Sequence, residues 1–197
     1  MDMKKKIEAT EHVKSLVAVA ENFIGDRVLI FGASNTTLVE ELVRKNREVA
    51  LLDIRQSAFS KFKEFKVDML LVQEGKEFDG VGKYNTIIFY DTMHHLQDKN
   101  KIIKECLKIL KGKASILLYE PNIYTKLIRE YDQFGELKNS MYKWSLIRLL
   151  KKNAFKVKLL SSEELISRKR KFKRFIISLQ KMQIDPIFRI LLIAIKR

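Results

Sequence analysis

Gly32 and Asp53 are the two residues whose spacing bears most directly on chemistry. Gly32 follows an apolar run and opens a tight turn, where the missing side chain lets a ligand approach the backbone. Asp53 stands about 20 positions further on, at the end of the next apolar run, and a carboxylate so placed can accept both hydroxyls of a ribose. An adenosine-containing cofactor fits that geometry. A nicotinamide dinucleotide would want G-x-G-x-x-G to admit its pyrophosphate. Gly32-Ala33-Ser34-Asn35-Thr36-Thr37 keeps only the first glycine, so a cofactor without phosphates is the better fit. A second group of interest is Asp91 with His94 and His95. Imidazole transfers protons readily near neutral pH, so either histidine is a candidate base for a nucleophile that carries a proton. The competing reading has one of them packed under the following helix with a hydrogen bond to a backbone carbonyl. Asp91 ends a strand, which places it at the site.

The elements that must position these residues are legible as a βαβ pattern. Residues 86–90 form an uninterrupted apolar run, as expected of a parallel strand covered on both faces. Ile102, Ile103, Cys106, Leu107, Ile109 and Leu110 then recur at helical spacing with lysines between them, the helix stops near Lys111-Gly112, and 114–119 returns as a buried strand. Upstream, 3–24 reads as an amphipathic helix, 27–31 as a strand, and 37–46 as a helix opened by a capping box of Thr37 and Glu40. Further strands are expected over 49–52 and 67–72, with a short helix over 56–65 between them. The glycine-containing stretch 73–83 reads as a loop that replaces or shortens a helix. Downstream, 144–152 reads as a helix, 155–160 as a strand, Ser161 with Glu164 as the cap of another helix, and 187–195 as the last strand.

Composition bounds the rest. A chain of 197 residues, 46% hydrophobic, suits one domain with a sizeable core. One cysteine excludes a disulfide framework and a cysteine-based zinc cluster, and no metal site is read from the sequence. Without a signal peptide or an apolar run of about 18 residues, the expectation is a cytoplasmic protein. The net charge of +15 implies attraction to nucleic acid, a lipid surface or an acidic substrate, or reflects only a lysine-rich coding bias. The run RKRKFKR, from Arg168 to Arg174, is either a polyanion or anionic-membrane contact or a solvated helical face. The aromatics Tyr124, Tyr131, Phe134, Tyr142 and Trp144 mark a candidate lid that could wall a pocket, or are simply buried.

Taken together, the motifs resemble those of the class I S-adenosylmethionine-dependent methyltransferases, in particular the small-molecule branch that includes quinone-biosynthesis enzymes. RVLIFGASNT at 27–36 stands in the place of the family's first motif, with Gly32, Ala33 and Ser34 in the cofactor turn. Asp53 in ALLDI matches the ribose-binding acid, and Ile54 the neighbour that packs on adenine. Gln73-Glu74 stands where the family reads the adenine amino group, and Phe89-Tyr90-Asp91 where the fourth strand passes the methionine part of the cofactor. Met93–Leu96, MHHL, matches the V-L-H-H-L that commonly follows, and LLYEPN at 117–122 the fifth strand and its exit. The resemblance covers roughly 27–122. The sequence departs from it at Ile30, where an acid is usual, and at Ser34 and Thr36, where glycines are usual. No Asn-Pro-Pro-Tyr-like sequence ends the fourth strand, which argues against methylation of a flipped base.

The resemblance implies a single doubly wound, Rossmann-like α/β domain. Its sheet would be mostly parallel and seven-stranded, with the last strand antiparallel. The organisation expected is an N-terminal helix over 1–26, a cofactor-binding core over 27–122, a lid over 123–145 and the remaining sheet over 146–197. It also implies methyl transfer from S-adenosylmethionine to a small-molecule acceptor, with cofactor contacts at Gly32, Ala33, Ser34, Asp53, Ile54, Gln73, Glu74 and Tyr90. Chemistry would fall to His94, His95 and Asp91. Two alternatives stay open: a degenerate, non-catalytic binding protein of the same fold, favoured by the altered first motif, and an RNA or protein methyltransferase, favoured by the charge. The oligomeric state is not legible.

Overall fold

The computed structural model describes residues 13–33, 35–73, 77–78, 80–121, 143–160 and 189–196. Its strands are β1 (Arg27–Phe31), β2 (Glu48–Asp53), β3 (Asp68–Leu71), β4 (Tyr84–Tyr90), β5 (Leu110–Pro121), β6 (Phe155–Leu160) and β7 (Arg189–Lys196). They form one seven-stranded sheet in the order β3-β2-β1-β4-β5-β7-β6. The pairs from β3 through β5 are parallel, and β7 runs antiparallel to both β5 and β6. The last strand is therefore the one reversed strand, as expected from the sequence. Chain order turns around between β1 and β4, which opens a crevice at the carboxyl ends of those two strands.

Alternation along each strand sends side chains to two faces, and both are covered. On one face Ile30, Leu51, Ile88 and Leu117 lie in register and pack against helix α1 (13–20) and helix α2 (Thr36–Arg44). In α1 the buried residues Val13, Leu16, Val17 and Ala20 follow helical spacing. On the other face Phe31, Leu52, Phe89 and Leu118 pack against helix α3 (Lys99–Ile109) and helix α4 (Lys143–Lys152), which contribute Ile103, Cys106, Leu146 and Leu150. Burial on both faces is why these strands read as continuous apolar runs.

Several boundaries differ from the sequence reading. Helix α2 is opened by Asn35, whose Oδ1 accepts the Leu38 amide at 2.9 Å, so the Thr37/Glu40 box is not the cap. Asn35 has φ −121, the extended backbone of an N-cap residue. The segment 56–65 is a 3₁₀ helix over Gln56–Phe62. Helix α3 ends at Ile109 and the chain enters β5 directly, so Lys111 and Gly112 lie within the strand. In 73–83 the described residues form no helix, and Phe78 and Val81 cover the sheet in its place, Phe78 lying 5.7 Å from Phe31 between ring centroids.

Part of the positive charge has a local use. Lys83 Nζ donates to Lys108 O at 2.6 Å, and Lys196 Nζ donates to Leu110 O at 2.8 Å, so two lysines distant in sequence satisfy the open carbonyls at the carboxyl end of α3. The proposed lid residues Tyr124, Tyr131, Phe134 and Tyr142, the Ser161/Glu164 cap and the basic run from Arg168 to Arg174 lie outside the described residues. Trp144 is described and stands exposed in the first turn of α4.

Candidate active site

The crevice is built first from the exit of β1. The Gly32 amide continues the ladder by donating to Leu52 O at 2.7 Å, and Gly32 then turns with φ +88. The next amide, Ala33 N, donates to Asp53 Oδ2 at 2.9 Å. The other oxygen of that carboxylate, Oδ1, accepts Arg55 N at 2.9 Å and lies 3.5 Å from Arg55 Nε. Asp53 is thus 6% exposed and ties the β1 turn to the exit of β2. An ionised carboxylate has about four acceptor positions, so each oxygen keeps one for a ligand. Ser34 lies outside the described residues.

Beside this carboxylate two apolar side chains stand open to solvent. Ile54 is 47% exposed and Leu71 54% exposed, which is unusual for side chains of their size beside a sheet core. Leu71 is the register partner of Asp53, and the following amide, Val72 N, donates to Asp53 O at 3.0 Å. Gln73 is exposed just beyond, on the same edge, while Glu74 lies outside the described residues. A flat apolar ring can rest against Ile54 and Leu71 while a polar substituent meets Asp53 and the Gln73 amide.

The exit of β4 forms the opposite wall. Tyr90 rests its ring against Tyr119, centroids 5.0 Å apart, and Asp91 follows with φ +51, its amide donating to Tyr119 O at 2.9 Å. Thr92 comes next and packs against Gly32. The chain then makes a 3₁₀ turn over Met93–His95 that is organised around one side chain, Glu120 at the end of β5. Glu120 Oε1 accepts Thr92 N at 3.0 Å and Met93 N at 2.8 Å. Oε2 faces His94 Nδ1 at 2.8 Å and His94 N at 3.3 Å. His94 is buried and His95 exposed, their ring centroids 4.0 Å apart. Lys99, at the start of α3, is buried nearby. Burial lowers its pKa below the ordinary lysine range, and the charge of Glu120 offsets part of that shift.

The structure therefore gathers Gly32, Ala33, Asp53, Ile54 and Gln73 at the β1, β2 and β3 exits and Tyr90, Asp91, His94 and His95 at the β4 exit. The competing reading gave one of the histidines a backbone carbonyl as partner; for ring Nδ1 of His94 the partner is the carboxylate of Glu120. Ile30 is buried between Leu51 and Ile88 and faces the core. Sequence reasoning did not single out Glu120, Leu71, Thr92 or Lys99. For Glu120 a signal was present, since it is an acid ending an apolar strand, as Asp53 and Asp91 are.

No family model and no curated protein sequence matches the chain. Solved structures do. A SAM-dependent methyltransferase from Archaeoglobus fulgidus superposes with TM-score 0.66 at 19% identity, covering 99% of this chain and 100% of the other. YcgJ from Bacillus subtilis gives TM-score 0.62 at 16% identity, covering 94% and 99%. The plantazolicin methyltransferase BpumL, solved in complex with SAH, gives TM-score 0.64 at 11% identity, covering 95% and 82%. At these identities the likeness speaks to the fold, and the chain has the fold of the class I S-adenosylmethionine-dependent methyltransferases.

Proposed function

We propose that the chain transfers a methyl group from S-adenosylmethionine to a small-molecule acceptor. The observation that carries this reading is the buried Asp53 carboxylate at the carboxyl end of β2, tied to the β1 turn and flanked by the exposed Ile54 and Leu71. Those residues fit an adenosine: Asp53 takes the ribose hydroxyls at its remaining acceptor positions, Ile54 and Leu71 hold the purine, and Gln73 accepts from its amino group. Gly32 and Ala33 approach the rest of the cofactor with backbone alone, and Tyr90 and Asp91 border it on the β4 side. When bound, the cofactor supplies a sulfonium methyl for in-line displacement. The protein's contribution is to hold the nucleophile in line at near-attack distance and to keep water out.

A second reading, a ligand-binding protein of this fold without catalysis, is favoured by two features: Ile30 stands in the core where the resembling family has an acid, and Asp53 is partly engaged in fastening the turn. Transfer to RNA or protein draws on the positive charge, of which Lys83 and Lys196 serve helix α3. Two measurements separate the readings. Calorimetric titration with S-adenosylhomocysteine tests the cofactor. Transfer of a labelled methyl group into separated small-molecule, RNA and protein fractions tests catalysis and acceptor class. Binding without transfer to any fraction favours the second reading.

A further inference from the structure

We propose that Glu120 is a positioning residue that fixes His94 as a general base, so that the acceptor is a nucleophile still carrying its proton at neutral pH, a hydroxyl above all. This rests on the methyl-transfer reading given above and names the chemistry of its acceptor. Glu120 is 2% exposed. Three backbone amides donate to its two oxygens, those of Thr92 and Met93 to Oε1 and that of His94 to Oε2, and Oε2 also faces the ring Nδ1 of His94 at 2.8 Å. An ionised carboxylate only accepts. A partner that only accepts puts the hydrogen on Nδ1 of His94. The lone pair is then on Nε2, the nitrogen turned away from Glu120.

The same contacts set where the ring stands. The Met93–His95 turn begins at Thr92, which lies against Gly32, so the turn that carries His94 borders the crevice from the β4 side. Other charged or titratable groups nearby are His95 on the same turn, Asp91 before it and Lys99 on α3. In the step proposed, the acceptor oxygen forms a bond to the methyl carbon as the carbon–sulfur bond breaks. That electron pair stays on sulfur, which becomes a neutral thioether. The acceptor's proton passes to His94 Nε2. The imidazolium so formed is stabilised by the Glu120 carboxylate across Nδ1–H.

Glu120→Gln separates this role from simple support of the turn. The carboxamide oxygen must face the two amides of Thr92 and Met93, because an NH₂ group there would oppose two donors. Its NH₂ then donates to His94 Nδ1 and drives the hydrogen to Nε2. Long-range nitrogen–proton correlation on histidine-labelled protein at about pH 8 reads the tautomer, with His94→Gln assigning the signal. The expected result is hydrogen on Nδ1 in the parent and on Nε2 in Glu120→Gln. Diethyl pyrocarbonate, which attacks a bare ring nitrogen, should modify His94 in the parent. We expect saturating S-adenosylmethionine to slow that reaction at least about fivefold, and Glu120→Gln to slow it about tenfold, if Nε2 faces the reacting groups. Hydrogen on Nε2 in the parent overturns the inference. So does modification of His94 at a rate that bound cofactor does not change. Failure of the parent to bind S-adenosylhomocysteine in the calorimeter overturns the cofactor reading and this inference with it. Binding without protection of His94 overturns the inference alone.

Discussion

Gly32 and Thr92 meet so closely that a side-chain carbon built on Gly32 would lie 2.6 Å from Thr92 Oγ1 and 2.8 Å from its Cγ2. The glycine is required by this contact as well as by its backbone, which turns with φ +88. Thr92 has little room to yield, since its hydroxyl donates to Tyr90 O at 2.9 Å and its amide is held by Glu120.

Gly32→Ala is therefore expected to destabilise the fold on two separable grounds, a left-handed backbone costing about 1–2 kcal/mol and overpacking costing about 1–3 kcal/mol. Urea denaturation of Gly32→Ala, Thr92→Ala and the double variant forms a mutant cycle. The double variant should recover most of the overpacking cost while the backbone cost remains. Additive losses would show that the two residues do not share the space as described.

Lys99 predicts a dependence of stability on alkaline pH. Burial holds its pKa below the ordinary range while Glu120 opposes the shift, so the unfolded chain binds more protons than the folded one in the window below the ordinary lysine pKa. Stability then rises with pH across that window, because the charge that is costly to bury is lost. In Lys99→Met this contribution is absent. Urea midpoints measured for both proteins at increasing alkaline pH should move in the parent's favour. A difference that stays flat or falls contradicts the buried charge.

Cys106 is fully buried on the inner face of α3, and burial pushes its thiol pKa well up. A thiol without accessible thiolate does not attack disulfide reagents. The native protein should therefore react with a chromogenic disulfide reagent only as it unfolds, at a rate that follows the urea denaturation curve. Prompt reaction in native buffer would contradict the packing of α3 against the sheet.

How much of this was legible in the sequence varies with the kind of contact. Strand 27–31 was readable because burial on both faces leaves the apolar run VLIF, and 155–160 because Phe155, Val157 and Leu159 alternate with exposed Lys156 and Lys158 on an edge strand, and the match to β1 and β6 follows. Asp53 was readable because a glycine turn and an acid about 20 residues apart are positioned by one βαβ unit. The cap of α2 was misread because Thr37 and Glu40 satisfy the capping-box pattern, while Asn35, two residues earlier, takes the extended backbone and the Leu38 amide. Glu120 was missed for a different reason. Its partners at Thr92, Met93 and His94 are 26 to 28 residues away and become neighbours only when β4 and β5 pair. No local spacing encodes that meeting. The lysines that close α3 are hidden in the same way, Lys196 lying 86 residues from Leu110.

The most direct test of the cofactor reading is calorimetric titration of S-adenosylhomocysteine into the parent, Asp53→Ala and Asp53→Asn, with thermal unfolding of each recorded to separate binding from folding. Charge-assisted hydrogen bonds of the kind assigned to Asp53 contribute roughly 1.5–3 kcal/mol, so Asp53→Ala should weaken binding at least about tenfold. Asp53→Asn should fall between, since it keeps one acceptor oxygen and loses the charge. A parent that takes up no ligand at about millimolar concentration, or a folded Asp53→Ala that binds as tightly as the parent, would contradict the account.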